Sequence, residues 1–415
     1  MENKKYKTKA NILFLWPPTP FLCESMFKHF TFFGETIGYI SQSKKFHISV
    51  LDAAVMRTTR STLISEFRKN DALIIFIEHY NVESALSMIN MAKASNSKIK
   101  ILSVGTACCY YPEFIFENSS VDAVLNNGEW ELGTSSYLSY LFENENISYV
   151  NKMIIRIGRK LIETKKMNLL PGDKWAQPDF DLLPLAEYLK INEGQMEILV
   201  NRGCPYNCIF CAEKYVYGHD FRTRDVNNVV EYMKKYRKVV STYYLNATTF
   251  TFNRKWVIDL CAKLKSLSYK ILWRTDTRID CLDEGLIKTM ADAGCQRLSL
   301  GVETLDKEIQ HYINKPIDID RIKNTFRLLD KYGIKTRSLL IAGLPKQTKK
   351  SILSTIKTLK SWGSEIRLKE YYPYQDLIKK DLTMDDIRKF NRSYFNNRIK
   401  GLSMSEYVNL IFPKN

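Results

Sequence analysis

Three cysteines stand close together in residues 201–211, at C-x3-C-x2-C spacing. They follow a mostly apolar run, residues 196–200, which predicts a buried strand that leads into a loop. Thiolates are soft ligands that hold iron–sulfur clusters or zinc. Cys204, Cys208 and Cys211 can therefore bind three metal corners of one cluster and leave the fourth corner free for chemistry.

Two other uses of these thiols are less well supported. A structural zinc site takes four ligands; His219 is available as the fourth, but the chain has no second C-x2-C pair to complete a ribbon or a finger. A disulfide is disfavoured, because nine cysteines, no recognisable signal peptide and many lysines indicate a reducing cytoplasm. The spacing therefore favours a cluster.

The length and charge of the chain limit its organisation. A chain of 415 residues exceeds a usual single domain, so we expect two domains and a tail. The formal charge of +17 suits an anionic partner such as nucleic acid, a phosphorylated metabolite or an acidic peptide. The lysines are spread evenly, however, which favours a solvated basic surface over a nucleic-acid groove. No apolar run reaches the roughly 20 residues that span a bilayer, so we expect a soluble, cytoplasmic protein.

The first 150 residues alternate short apolar runs with amphipathic segments. This alternation predicts a doubly wound α/β layer structure, in which ligands bind at the carboxyl ends of the strands. Gly105 and Gly128 follow the fourth and fifth strands and are therefore placed at the ligand edge. The predicted strands are residues 11–16, 46–51, 72–77, 99–104 and 121–125.

The order of these features resembles the cobalamin-binding domain that precedes many radical S-adenosylmethionine domains. The resemblance covers roughly residues 8–145 and includes Pro17-Pro18 after the first strand, Gly105, and Gly128-Glu129. It implies a cobalamin site. The D-x-H-x-x-G motif, which supplies a lower axial histidine in other cobalamin proteins, is missing from this chain. The alternative is a Rossmann-like domain that binds no corrinoid.

The second half of the sequence predicts another layout of alternating strands and helices. A connector, residues 151–192, precedes it; the connector is dense in proline, glycine and aspartate and contains a hairpin around Gly158. Repeated strand and helix segments predict a partial (β/α)6 barrel with its site at the carboxyl ends of the strands. Beyond residue 375 we expect a short helical tail, in which residues 382–395 form a helix begun by Thr383. Predicted strands after the cysteine loop are residues 242–246, 271–275, 297–302 and 336–342.

The cysteine loop, including Phe210 before the last cysteine, resembles the cluster loop of radical S-adenosylmethionine enzymes. Strand-end phrases at residues 273–278, 293–295, 300–304 and 342–345 resemble the same family. The resemblance implies that Cys204, Cys208 and Cys211 bind three irons of a 4Fe-4S cluster and that S-adenosylmethionine chelates the fourth. One departure concerns residues 246–249 (NATT), where relatives often carry acidic residues.

Three charged residues are further candidates for binding the cosubstrate. Glu303 lies just beyond a strand end, where a carboxylate can accept hydrogen bonds from a ribose or an ammonium group. Arg278 and Arg224 can each grip a carboxylate through two parallel hydrogen bonds. The alternative for all three is a structural ion pair.

The resemblance as a whole implies an α/β protein with four segments: an N-terminal Rossmann-like cobalamin-binding domain (1–150), the connector (151–192), a partial (β/α)6 radical S-adenosylmethionine barrel (193–375) and a helical tail (376–415). It implies cleavage of S-adenosylmethionine to a 5′-deoxyadenosyl radical and transfer of a methyl group from methylcobalamin. The substrate would be a carbon or phosphorus centre of a natural product or peptide, and the electron would come from a donor such as flavodoxin or ferredoxin.

Two other functions remain open on the sequence alone. An enzyme of the same build can catalyse a cyclisation, rearrangement or oxidation without methyl transfer. A basic RNA- or peptide-binding protein can use such a cluster as a structural element.

Overall fold

The computed structural model describes residues 9–18, 29–392 and 397–411. The chain divides into two compact units. The first contains residues up to Glu193 together with Ile378–Leu382, and the second contains Gly194–Leu377 and the residues from Thr383 onward. The α/β fold class is confirmed, whereas the domain limits at residues 150, 192 and 375 stay predictions.

The first unit is built around one sheet with helices between its strands. Its elements in chain order are β1 (Asn11–Trp16), α1 (Phe32–Gln42), β2 (His47–Asp52), α2 (Arg60–Lys69), β3 (Ala72–Phe76), α3 (Val82–Ser95), β4 (Lys100–Val104), α4 (Thr106–Tyr110), α5 (Pro112–Asn118), β5 (Ala123–Val124), α6 (Trp130–Phe142), β6 (Ile154–Ile157), β7 (Lys160–Glu163) and α7 (Leu185–Ile191).

The strand order of this sheet is β2-β1-β3-β4-β5-β6-β7. Strands β1 to β5 are parallel, and the predicted hairpin around Gly158 adds β6, antiparallel to β5, and then β7, antiparallel to β6. All of β3 is buried, as expected of a parallel strand covered on both faces. The order reverses between β1 and β3, and this is where open α/β sheets bind ligands. Strand β5 is shorter than predicted, and the Asp122 carboxylate just before it accepts the N–H of Ile101 at 2.8 Å.

A buried hydrogen-bond network ties helix α7 to the end of β2. Asp52 is fully buried and its Oδ2 accepts a hydrogen bond from the Tyr188 hydroxyl at 2.7 Å. The same oxygen contacts His29 Nδ1, while Oδ1 accepts the N–H groups of Ala54 and Val55 at 3.1 and 3.2 Å. Burial, followed by the charge of Asp52, raises the pKa of Tyr188, so its hydroxyl stays protonated and donates.

Removing that hydroxyl should destabilise the first unit. In Tyr188→Phe the ring keeps its edge contacts with His29 and Phe30, but the buried Asp52 loses one donor. We expect the free energy of unfolding, measured with urea, to fall by about 1–3 kcal/mol. Tyr149→Phe is the control because that side chain is 61% exposed and should show no change. Equal stability of the two variants would contradict a stabilising role for the Tyr188–Asp52 bond.

The second unit is built around a six-stranded parallel sheet. Its elements are β8 (Gln195–Leu199), β9 (Asn201–Arg202), α8 (Glu213–Val216), β10 (Arg222–Thr223), α9 (Val226–Tyr236), β11 (Thr242–Asn246), α10 (Arg254–Lys265), β12 (Trp273–Thr277), α11 (Glu284–Asp292), β13 (Cys295–Glu303), α12 (Lys307–Tyr312), α13 (Ile319–Lys331), β14 (Lys335–Ala342), α14 (Lys349–Ser361), β15 (Glu365–Glu370), α15 (Met384–Asn391) and α16 (Met404–Ile411).

The strand order is β8-β11-β12-β13-β14-β15, and every neighbouring pair is parallel. This is the partial six-stranded arrangement that the sequence predicts, although β12 lies two residues later than predicted. The predicted tail helix begins with Thr383 as its N-cap, in a capping box with Asp386, but it ends at Asn391. The last residues of the predicted helix, 393–395, lie outside the described residues. None of the described helices is both long and apolar enough to cross a membrane.

Candidate cofactor site

The cysteine loop leaves the carboxyl end of β8 through the two-residue strand β9. Gly203 has a φ of 75°, and a Cβ there would lie 2.3 Å from the carbonyl oxygen of Asp220, so the close approach requires glycine. Thr248 Oγ1 donates to the carbonyl of Gly203 at 2.6 Å, and Thr248 N–H donates to Asn201 Oδ1 at 2.7 Å. The NATT segment, which departs from the family pattern, therefore supports the base of the loop.

Backbone bonds fix the loop from several sides. The N–H of Cys204 donates to the carbonyl of Gly218 at 3.2 Å, and the N–H of Ile209 donates to the carbonyl of Ile313 after α12, also at 3.2 Å. His219, the alternative zinc ligand, donates from Nδ1 to the carbonyl oxygen of Cys204 at 2.9 Å. In this structure its imidazole supports the loop backbone.

The three thiols share one electrostatic environment. Burial raises the pKa of Cys211 to about 12, and the charges of Cys204 and Cys208 act in the same direction. Burial also raises the pKa of Cys208, and the positive charges of Lys315 and Arg278 oppose that rise. Bound iron would act as these cations do and favour the thiolate. Among residues 9–18, 29–392 and 397–411, no three His, Cys, Asp or Glu side chains form a group for a single metal ion; a cluster instead offers several irons to separate cysteines.

Arg278, which follows β12, lies directly beside the loop. Its guanidinium donates to both carboxylate oxygens of Asp280, from Nε at 2.9 Å and from Nη2 at 2.6 Å. Nη1 lies 3.6 Å from Cys208 Sγ, and the guanidinium stacks 3.8 Å above the ring of Tyr206. Burial alone would lower the pKa of Arg278, but the Asp280 hydrogen bonds raise it, so the side chain stays charged. The structure thus brings Arg278 and the cysteine loop together.

Glu303, at the end of β13, forms the ion pair that the sequence left open as an alternative, with a partner, Lys315, that the sequence did not reveal. Its Oε1 lies 2.8 Å from Lys315 Nζ, and both side chains are less than a tenth exposed. The register of β13 against β14 shifts between Gly301 and Glu303, and Glu303 adopts a left-handed φ of 63°. A Cβ at Gly301 would lie 2.5 Å from Lys315 Nζ, so glycine makes room for the pair. Strained backbone of this kind clusters at functional sites.

The other two predicted residues of this unit are placed differently. Phe210 packs against a small apolar cluster, and Lys315 Nζ lies 5.8 Å from the centre of the Phe210 ring. Phe210 therefore connects the cysteine loop to the Glu303–Lys315 pair. Arg224 is 1% exposed and donates from Nε to the carbonyl of Leu199 at 2.9 Å, which holds the end of β8. Cosubstrate binding by either residue stays a prediction. The cluster around Phe210 consists of Ile309, Ile313, Leu344 and Tyr371.

In the first unit, Gly105 and Gly128 lie at the carboxyl edge of the sheet. Gly105 has a φ of 114°, and a Cβ there would lie 2.4 Å from the carbonyl oxygen of Ile77, so the turn itself demands glycine. Gly128 lies in a buried turn after β5, next to a bond from the N–H of Glu129 to Asn127 Oδ1 at 3.0 Å. Ligand contact by the two glycines stays a prediction.

The same edge carries an unusual set of buried polar atoms. Trp16 Nε1, His29 Nε2, Thr31 Oγ1 and Tyr111 Oη are buried without a hydrogen-bond partner among the residues described. Trp16 ends β1, His29 and Thr31 precede α1, and Tyr111 follows α4. Unsatisfied buried groups are rare in native proteins and point to a missing partner. Their position fits a cofactor that offers hydrogen-bonding groups at the β1/β3 switch point.

Comparison with known proteins agrees with this architecture. Residues 198–359 match the model of the Radical SAM superfamily. An uncharacterized methyltransferase of Pyrococcus horikoshii is 24% identical over 319 residues, 75% of this chain and 69% of that protein. The anaerobic magnesium-protoporphyrin IX monomethyl ester cyclase of Rubrivivax gelatinosus is 29% identical over 226 residues, 52% of this chain but only 40% of the cyclase.

A solved structure shows a similar fold. It is that of TsrM, a radical S-adenosylmethionine methyltransferase from Kitasatospora setae, with cobalamin and a 4Fe-4S cluster bound. The TM-score is 0.69 at 13% identity, and the match covers 88% of this chain and 73% of TsrM. With the superfamily match over residues 198–359 and the cysteine loop at the strand ends, this part of the chain is a radical S-adenosylmethionine domain.

Proposed function

We propose that the chain is a cobalamin-dependent radical S-adenosylmethionine methyltransferase that methylates a carbon or phosphorus centre of a small molecule or peptide. The observation that carries the proposal is the cysteine loop flanked by Arg278 and by the buried Glu303–Lys315 pair at the carboxyl ends of the strands. An external electron donor such as flavodoxin or ferredoxin, in the cytoplasm, completes the proposal.

Cys204, Cys208 and Cys211 would hold the cluster. When bound, the cluster supplies the electron for reductive cleavage of S-adenosylmethionine, and cobalamin supplies the methyl group. Arg278 and Lys315 place positive charge near Cys208, which offsets the negative charge of the thiolates. Asp280 holds the Arg278 guanidinium in one orientation through its paired hydrogen bonds, so this charge is fixed before any ligand binds.

Glu303 would orient the cosubstrate. Lys315 uses Oε1 of the carboxylate, and the remaining oxygen lone pairs can accept from a ribose hydroxyl or an ammonium group. Lys315 fixes the carboxylate, while Phe210 keeps the loop packed against the same strand ends. Preorganised charges of this kind act without reorganisation when the ligand arrives.

The first unit would bind cobalamin. The buried unpartnered atoms of Trp16, His29, Thr31 and Tyr111 support this role, and TsrM, with a similar fold, holds cobalamin in its structure. Gly105 and Gly128 would form the close-packed turns along the cofactor edge. The missing D-x-H-x-x-G motif predicts that cobalamin binds without an imidazole from that motif.

Anaerobic reconstitution with iron, sulfide and cobalamin tests the proposal. We expect the purified protein to retain a corrin absorption spectrum after gel filtration. With a reductant such as dithionite or flavodoxin supplying the electrons, it should form both S-adenosylhomocysteine and 5′-deoxyadenosine from S-adenosylmethionine. Deoxyadenosine without bound corrin would favour a radical reaction without methyl transfer, a possibility raised by the cyclase relative. Neither product would favour a structural cluster.

A further inference from the structure

The guanidinium of Arg278 is held between a carboxylate, an aromatic ring and one cysteine of the loop. Asp280 accepts hydrogen bonds from Nε and Nη2, at 2.9 and 2.6 Å. The remaining nitrogen, Nη1, donates to Cys208 Sγ at 3.6 Å. The ring of Tyr206 covers one face of the guanidinium at 3.8 Å. These contacts direct one N–H donor of a charged group at the sulfur.

The residues that hold the guanidinium are themselves fixed. Asp280 lies in the short 3-10 turn Ile279–Cys281, and its carbonyl oxygen accepts from Arg321 Nη2 at 2.8 Å. The hydroxyl of Tyr206 lies 3.3 Å from Cys281 Sγ in the same turn. The side chain of Arg278 is only 10% exposed, so water screens its charge weakly. The donor is therefore in place before a cluster binds.

The other two sulfurs of the loop have different neighbours. The neutral hydroxyl of Thr249 lies 3.8 Å from Cys204 Sγ. Burial, followed by the negative charge of Glu213, raises the pKa of Cys211. The arginine therefore acts on the cluster at the Cys208 corner.

We propose that Arg278 sets the reduction potential of the cluster through its hydrogen bond to Cys208 Sγ, and that this is its role in place of binding the cosubstrate carboxylate. Hydrogen bonds to the sulfurs and nearby charge are what tune the potential of an iron–sulfur cluster. In reduction the external donor loses one electron and the cluster gains it, and no bond forms or breaks. A positively charged donor stabilises the more negative, reduced cluster more than the oxidised one, and so raises the potential. The inference rests on the proposed function in one respect, that the three cysteines hold a cluster.

A redox titration of the full-length protein tests this role. The protein is reconstituted anaerobically with iron and sulfide, without S-adenosylmethionine or cobalamin, and is reduced stepwise with dithionite while electron paramagnetic resonance follows the reduced cluster. Arg278→Gln puts a shorter, neutral side chain beside Cys208. Loss of a hydrogen bond from a charged donor should weaken stabilisation of the reduced cluster by about tenfold. The midpoint potential should then become more negative by about 59 mV, the equivalent of tenfold for a one-electron couple.

Two further variants separate tuning from local disruption. Asp280→Asn removes a negative charge and keeps an amide oxygen that can accept from the guanidinium, so the midpoint potential should become less negative. Disruption of the loop would not shift the two variants in opposite directions. Arg254→Gln is the matched control, because Arg254 also pairs with a carboxylate, that of Asp283, but its side chain is 50% exposed and its charge is screened. Its midpoint potential should equal that of the wild-type protein.

Each result supports or contradicts the proposal. It is wrong if Arg278→Gln has the same midpoint potential as Arg254→Gln, or if Arg278→Gln and Asp280→Asn shift in the same direction. If Arg278→Gln binds too little iron to titrate, Asp280→Asn decides alone, and a potential at or below the wild-type value contradicts the proposal. An unchanged potential with weaker binding of S-adenosylmethionine in calorimetry would assign Arg278 to the cosubstrate instead.

Failure of this inference can be told apart from failure of the proposed function. A wild-type protein that binds no iron and sulfide would refute both. A cluster that assembles, but whose potential responds to neither Arg278→Gln nor Asp280→Asn, would refute the tuning role alone.

Discussion

Replacing any one of Cys204, Cys208 or Cys211 with alanine is expected to reduce the iron and sulfide bound after anaerobic reconstitution to a small fraction of the wild-type content. Deoxyadenosine formation should fall below detection. Each thiolate would be the sole protein ligand of one iron, and no spare cysteine lies within the loop to replace it. Iron and sulfide analysis, visible absorption and product chromatography provide the measurements.

The matched control for these variants is Cys261→Ala. Cys261 is fully buried in α10, and burial raises its pKa to about 12, so its thiol stays protonated and acts as a small apolar side chain. This variant should keep the wild-type iron content. If a loop variant also keeps the full iron content and cleaves S-adenosylmethionine, the assignment of that cysteine as a cluster ligand is wrong.

The second large effect concerns the buried pair of Glu303 and Lys315. Glu303→Gln leaves a buried ammonium group without its counter-charge, and breaking a buried pair in this way costs about 3–5 kcal/mol. We expect urea unfolding to show a loss of this size, and S-adenosylmethionine cleavage to be nearly abolished. Lys315→Met alone should also destabilise, because it leaves the carboxylate buried and unpaired.

The double variant, Glu303→Gln with Lys315→Met, separates a ligand role from a structural one. With both charges gone, most of the lost stability should return, since replacing both members of a buried pair is often nearly neutral. Cosubstrate binding, measured by calorimetry on the reconstituted protein, should not return, because the acceptor carboxylate is still missing. Recovery of both properties would show that Glu303 serves the fold alone.

Local patterns in the sequence predicted much of this structure. The predicted strands 11–16 and 242–246 have the same bounds as β1 and β11, and Thr383 caps its helix as predicted. The cysteine spacing located the loop, because three ligands within eight positions need no long-range information. Arg278, a candidate cosubstrate ligand on the sequence, contacts Cys208 in the structure, and its binding role stays a prediction.

Features that depend on distant partners were not predictable in the same way. Lys315 lies after α12 with no local signal, and only folding brings it to Glu303. Which residues face one another across β12, β13 and β14 depends on strand register, which periodicity does not specify for parallel strands joined by helices. Strand β15 was not located, because only two of its six residues, Ile366 and Leu368, are apolar.

The backbone at Glu303 has a consequence for engineering this chain. Glycine, asparagine and aspartate tolerate a left-handed conformation better than glutamate does. Each of them has a shorter side chain, which would not extend as far toward Lys315. Local backbone preference and the ion pair therefore select different residues at this position. A redesign guided by backbone compatibility alone would replace Glu303, and would leave the buried Lys315 without its counter-charge, at a net loss of stability.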